Sequence, residues 1–98
     1  MSATSESEPT FQAWVEGGVQ GIGFRYFVAQ KANRLVVRGV VRNLPDGRVH
    51  VCARGSRAVL ESLLALLRQG PRMARVEDVE VEWDAPCPDV EGFEIVGY

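Results

Sequence analysis

Apolar residues along this chain follow two different periods, and the switches between them outline the elements. Phe11 to Glu16 is a short apolar-rich run leading into glycines, and it predicts a first strand. From Gly23 to about Arg34, Phe24, Phe27, Val28, Ala32 and Leu35 fall on one helical stripe. The β-branched run Val36 to Arg42 predicts a second strand. Leu44-Pro45-Asp46-Gly47 is a turn signal, because proline presets one dihedral and glycine accepts positive φ. Beyond it Val49, Val51 and Ala53 alternate with Arg48, His50, Cys52 and Arg54, so a third strand folds back on the second as a hairpin. Ala58 to Leu67 carries Val59, Leu60, Leu63, Leu64 and Leu67 at helical spacing, and Gly70 followed by Pro71 ends it. Val79, Val81 and Trp83 alternate with Glu80, Glu82 and Asp84, the pattern of a half-buried strand, and Phe93 to Val96 forms a short closing strand. Met1 to Thr10 is rich in Ser, Thr and Glu and lacks apolar periodicity. It is expected to be a mobile tail, leaving residues 11–98 as one domain.

The order β-α-β-β-α-β, with a short extra C-terminal strand, is that of a ferredoxin-like α/β sandwich of the α+β class. Such a chain builds an antiparallel sheet with two helices on one face. Right-handed crossovers place the first and third strands side by side at the centre. The glycine run Gly17-Gly18-Val19-Gln20-Gly21-Ile22-Gly23 then lies at the exit of a central strand, against a helix N-terminus. Asn43, at the end of the second strand, is expected on a neighbour of the strand that feeds this run.

The 98 residues suffice for one modest core, and an apolar fraction of 46% is ordinary for a globular domain. A net charge of −2 gives no electrostatic reason to expect nucleic acid or an acidic membrane as partner. The alternating segment Val49 to Ala53 also lacks the exposed aromatics that an RNA-binding sheet uses. No stretch is long enough to span a bilayer and no secretory pattern opens the chain, so a cytoplasmic setting with reduced thiols is expected. Cys52 and Cys87 are far apart in sequence, and His50-x-Cys52 supplies too few ligands for a structural metal site. Cys52 is expected to act as a small buried hydrophobe and His50 as a surface strand residue. Phe24 and Phe27 read as core, Tyr26 as exposed or at a site rim, Trp83 as buried, and Trp14 as packed on the open sheet face. A monomer is the default.

The chemistry concentrates in the glycine run. Glycines free the backbone to turn several N–H groups toward one point. A helix N-terminus adds unpaired N–H donors and the positive end of a dipole. Arg25, just inside that helix, adds a planar fork of donors matched to phosphate oxygens. Together these form a cradle for a phosphate-like dianion.

Gly17-x-Val19-Gln20-Gly21-Ile22-x-Phe24-Arg25 closely resembles the first signature of the acylphosphatase family. Gly39-Val40-Val41-Arg42-Asn43, followed by Gly47-x-Val49 and Gly55, resembles the second. The resemblance runs from about Phe11 to Ile95. It implies hydrolysis of acyl phosphates to a carboxylate and inorganic phosphate without metal or cofactor. It further implies that Arg25 binds the substrate phosphate, that backbone amides of Gly18, Val19, Gln20, Gly21 and Ile22 wrap it, and that Asn43 holds the attacking water. Gln20 is expected to contribute its backbone rather than its side chain. Two positions depart from the family pattern. Val40 stands where an aromatic residue is usual, and Val36 stands where a glycine commonly ends the first helix. Valine is unfavourable at positive φ, so a different helix ending is expected there.

An acyl phosphate is already activated, so positioning and charge stabilisation suffice for its hydrolysis. Asn43 is neutral, and its amide can accept from a water while donating to a phosphate oxygen. The proton then goes to a phosphate oxygen or to the departing carboxylate. The alternative is a non-catalytic module of the same fold that holds a phosphate or carboxylate ligand.

Overall fold

A computed structural model describes residues 8–97. Five strands form one sheet: β1 (Thr10–Gly18), β2 (Arg38–Asn43), β3 (Val49–Arg54), β4 (Arg75–Trp83) and β5 (Phe93–Ile95). Two helices, α1 (Phe24–Arg34) and α2 (Arg57–Gln69), lie between β1 and β2 and between β3 and β4 in the chain. The spatial order is β4-β1-β3-β2-β5. Pairing is antiparallel among the first four strands, but β5 runs parallel to β2, so the sheet is mixed rather than antiparallel throughout as the sequence reading had it. The first and third strands are central neighbours, as the crossover rule requires. This is the ferredoxin-like α+β sandwich that the element order implies.

One face of the sheet is apolar because strand period and burial coincide. Phe11, Ala13 and Val15 on β1 and Val49, Val51 and Ala53 on β3 are fully buried under the helices. Phe24, Val28 and Ala32 of α1 meet this layer at four-residue spacing, and Leu60, Leu63, Leu64 and Leu67 of α2 meet it at three- and four-residue spacing. Trp83 packs edge-on against Phe11, and the Arg57 guanidinium covers its ring at 3.7 Å. On the opposite face Trp14 packs against His50, their ring centres 5.1 Å apart. The chain from Asp84 to Gly92 crosses that face as a strap between β4 and β5. Thr10 Oγ1 donates to Ala85 O (2.7 Å), Gln12 Nε2 to Pro86 O (2.7 Å) and Arg38 Nη1 to Asp89 Oδ1 (3.1 Å).

β4 also begins earlier than expected, at Arg75 rather than Val79, and four further differences bear on the site and its frame. Asn43 is not on a neighbour of β1, because β3 lies between β1 and β2. The hairpin fixes β2 beside β3, and β3 occupies the central position next to β1. Second, α1 does end with Val36 at φ 61. Val37 N–H donates to Ala32 O (2.8 Å) and Val36 N–H to Asn33 O (3.2 Å), the paired bonds of a Schellman ending. Those bonds, and full burial of the following Val37, hold valine in a conformation that it disfavours. Third, β2 consequently begins at Arg38 rather than Val36. Fourth, Glu8 to Thr10 are not tail: Glu8 pairs with Arg38, Pro9 O accepts from Gly55 N–H (3.2 Å), and Thr10 opens β1. Arg38 of β2 and the chain just beyond the ends of β3 and β4 supply partners that composition does not reveal. The remainder of the expected tail, residues 1–7, lies outside the described residues.

Candidate active site

The loop between β1 and α1 begins with a bulge. The β1–β4 register shifts between Glu16 and Gly17, and a Cβ on Gly17 would lie 2.0 Å from Arg75 O. Only glycine fits there, and the shift turns the chain off the sheet. Gly18 still pairs with Arg75 as the last residue of β1, and Val19 N–H donates back to Gly17 O (3.0 Å). Among the described residues, the amides of Gln20, Gly21, Ile22 and Gly23 make no backbone hydrogen bond.

Gly23 caps α1 from the left-handed region, at φ 82 and ψ 17. No side chain caps the helix, and no acidic residue stands in its first turn. The first helical bond runs from Phe27 N–H to Gly23 O (3.0 Å), which leaves the amides of Phe24, Arg25 and Tyr26 without intrahelical acceptors. A helix whose first turn has neither a polar cap nor a carboxylate is open to an outside anion.

The Gln20 side chain fixes this loop in space. Its Nε2 donates to Leu44 O (2.8 Å) and Arg48 O (2.9 Å), the two carbonyls at the base of the β2–β3 turn. The loop is thereby tied across the end of β3 to the hairpin that carries Asn43. Sequence reasoning assigned Gln20 a backbone role and missed this one. A glutamine in a glycine run gives no sign of which distant carbonyls it will reach.

Arg25 and Asn43 line one cavity of about 430 Å³, together with Val19, Gly21, Gly23, Phe24, Tyr26 and Ile95. Gly18, Gln20 and Ile22 do not line it. Arg25 makes no ion pair among the described residues. Asn43 Oδ1 is buried and has no hydrogen-bond partner among them. A buried acceptor left unpaired is costly, and small polar ligands such as water remove that cost. Tyr26, expected at a rim, is 77% exposed and stands at the mouth. Ile95 reaches the cavity from β5, a contribution that depends on where the short closing strand docks.

No Asp, Glu or His is among the residues lining the cavity. The nearby turn carboxylate, Asp46, is already bound by Arg48 through contacts of 2.9 and 2.8 Å, and that bond lowers its pKa. His50 lies on the other sheet face, with Nε2 2.9 Å from Gln12 Oε1, and burial lowers its pKa. The polar equipment of the cavity is therefore a guanidinium, a carboxamide, a phenol and a set of free amides.

A ferredoxin-like sandwich with an uncapped helix start, a glycine loop and an arginine on one cavity is an α+β domain with the donors to hold an anion. Comparison with known proteins gives the family. The acylphosphatase family profile matches residues 11–95. The chain is 48% identical over 87 residues to an acylphosphatase of Thermus thermophilus, covering 89% of this chain and 98% of that one. Its fold superposes on an acylphosphatase from Coxiella burnetii with a TM-score of 0.88 at 33% identity, covering 98% of this chain and 100% of the other. An acylphosphatase from Bacillus subtilis gives 0.86 at 34% identity, over 91% and 99% of the two chains. The chain belongs to the acylphosphatase family, and its activity is the hydrolysis of acyl phosphates. Among the described residues, no helix is long and apolar enough to cross a membrane.

Proposed function

We propose that the substrate phosphate sits against the loop Gly18–Ile22 where Gly21 borders the cavity of Arg25 and Asn43, with the free amides of the loop turned toward it. Arg25 and the open first turn of α1 complete its coordination. Arg25 has no competing carboxylate among the described residues, so its donors are available for two phosphate oxygens. Asn43 accepts a hydrogen bond from the attacking water through Oδ1 and donates through its amide nitrogen to phosphate. The observation that carries this reading is the buried, unpaired Asn43 Oδ1 in the same cavity as Arg25.

The reaction follows from these positions. Water attacks phosphorus in line with the acyl oxygen, the phosphorus–oxygen bond to the acyl group breaks, and a carboxylate departs. With no carboxylate or imidazole on the cavity wall, the water's proton passes to a phosphate oxygen or to the leaving carboxylate. The amides and Arg25 are fixed before reaction and face the charge that spreads over the phosphoryl oxygens, an effect typically worth about 10²–10³ in rate per donor. The acyl portion leaves the phosphate past Tyr26 and Ile95. These residues also border an open apolar groove formed with Phe27, Ala29 and Phe93. A groove this open imposes little selection on a small acyl group. The ligand is thus a small-molecule acyl phosphate, with inorganic phosphate as product.

Hydrolysis of acetyl phosphate by the purified protein, with a chelator present, tests the assignment. Wild-type protein is expected to turn over, and Arg25→Ala and Asn43→Ala each to lose about 10² or more in kcat/KM while folding normally. Wild-type rates in either variant would remove that residue from the site. Phosphate binding without turnover in the wild type would favour the non-catalytic module.

A further inference from the structure

Cys52 and Cys87, remote in sequence, meet on the sheet face away from the helices. Cys52 belongs to β3 and is 3% exposed, while Cys87 is half-buried in the strap. Cys52 Sγ donates to Pro86 O at 3.3 Å. Arg54, two residues along β3 and on the same face, donates through Nη2 to Cys87 O at 2.6 Å. These two bonds hold the Pro86–Cys87 peptide directly over Cys52 and Arg54. They leave the Cys87 side chain beside Cys52, whose pKa it lowers. Neither thiol has a part in the proposed hydrolysis: Asn43 and the glycine loop lie toward the Val49 end of β3, and the thiols toward its Arg54 end.

We infer that Cys52 and Cys87 are a redox-responsive pair, which closes to a disulfide in the presence of a low-molecular-weight disulfide of the glutathione type. Exposure rather than acidity selects Cys87 for the first step: although its contact with Cys52 raises its pKa, it is the thiol a small disulfide can reach, and it loses its proton to water and attacks one sulfur of the small disulfide. One small thiol leaves, and a mixed disulfide remains on Cys87. The Cys52 thiolate then attacks the Cys87 sulfur and expels the second small thiol. Two protein thiols give up two protons and two electrons, and the small disulfide takes them up as two thiols. The surroundings favour the second attack. In the reduced pair the contact with Cys87 lowers the Cys52 pKa; once Cys87 carries the small thiol its S–H is gone, and the positive charges of Arg42 and Arg54 remain to favour the Cys52 thiolate. Arg54 Nε, buried and without a partner among the described residues, leaves a cationic donor beside the pair.

The bond would tie the strap to the central sheet and close a long loop containing α2 and β4. That constrains the unfolded chain far more than the native one. Its effect falls on stability rather than on turnover.

Incubation with oxidised glutathione, alkylation of remaining thiols and intact-mass analysis test the inference. The expected product lacks two hydrogens, takes up no alkylating agent, and gives a linked Cys52–Cys87 peptide. It melts about 10 °C or more above the reduced form, with acetyl phosphate turnover within about twofold. Cys87→Ser, at the half-buried position, is expected to fold and to show neither the mass loss nor the oxidant-dependent rise in Tm. A stable glutathione adduct on Cys87, or two thiols that remain fully alkylatable, would overturn the inference.

Discussion

Val36 shows what a single residue tolerates when its neighbours decide. It is 80% exposed, so its side chain gains little from packing, and its φ of 61 lies where a branched side chain clashes with its own backbone. Holding an L-residue there costs about 1–2 kcal/mol, and glycine would remove that strain, offset in part by the greater entropy it gives the unfolded chain. Val36→Gly is therefore expected to stabilise the fold by about 1 kcal/mol, read as a higher denaturant midpoint at unchanged m-value. A lower midpoint would show that the valine is relieved in some other way. The sequence pattern marked position 36 as unusual for a left-handed residue but drew the opposite conclusion about the backbone. Propensity describes residue 36 alone, whereas the ending is set by amides 36 and 37 and by the buried Val37. The two motifs singled out Arg25 and Asn43, and the fold brings both to one cavity. The free Oδ1 of Asn43 was not legible in them, since it depends on what fails to approach it.

At the scale of elements, the loop and the hairpin act as one unit although β3 separates their strands. Gln20 makes the join with two bonds to main-chain carbonyls. Each such bond is worth about 1 kcal/mol net, and both lie beside the site. Gln20→Ala is expected to weaken phosphate binding and raise KM about tenfold with a smaller change in kcat, because the donors remain but are held less firmly. Kinetic constants equal to wild type would show that the glycine backbone holds its shape unaided. All seven elements were visible in the periodicity of the chain, including the β2–β3 hairpin through its Pro-Asp-Gly turn. Which strands are neighbours was less visible, because only the loop lengths and the crossover rule bear on it. The parallel docking of β5 depends on a strap whose anchors, Thr10, Gln12, Arg38 and Arg54, come from three different strands.

For the whole molecule, the fold separates two tasks. The helix-covered face buries the apolar residues, and the site opens where β1 leaves the sheet, α1 begins and the β2–β3 hairpin turns. The remaining end of the sheet carries the strap and the two thiols, away from the proposed chemistry. Within the site, the account divides labour between binding and attack: the loop and Arg25 hold phosphate, and Asn43 positions water. Calorimetric titration of inorganic phosphate into wild type, Arg25→Ala and Asn43→Ala tests that division most directly. The account predicts that Asn43→Ala binds within about threefold of wild type, and that Arg25→Ala loses about 10²-fold or more, as expected for removal of a charge-assisted bidentate contact. Wild-type affinity in Arg25→Ala, or loss of binding in Asn43→Ala, would contradict it.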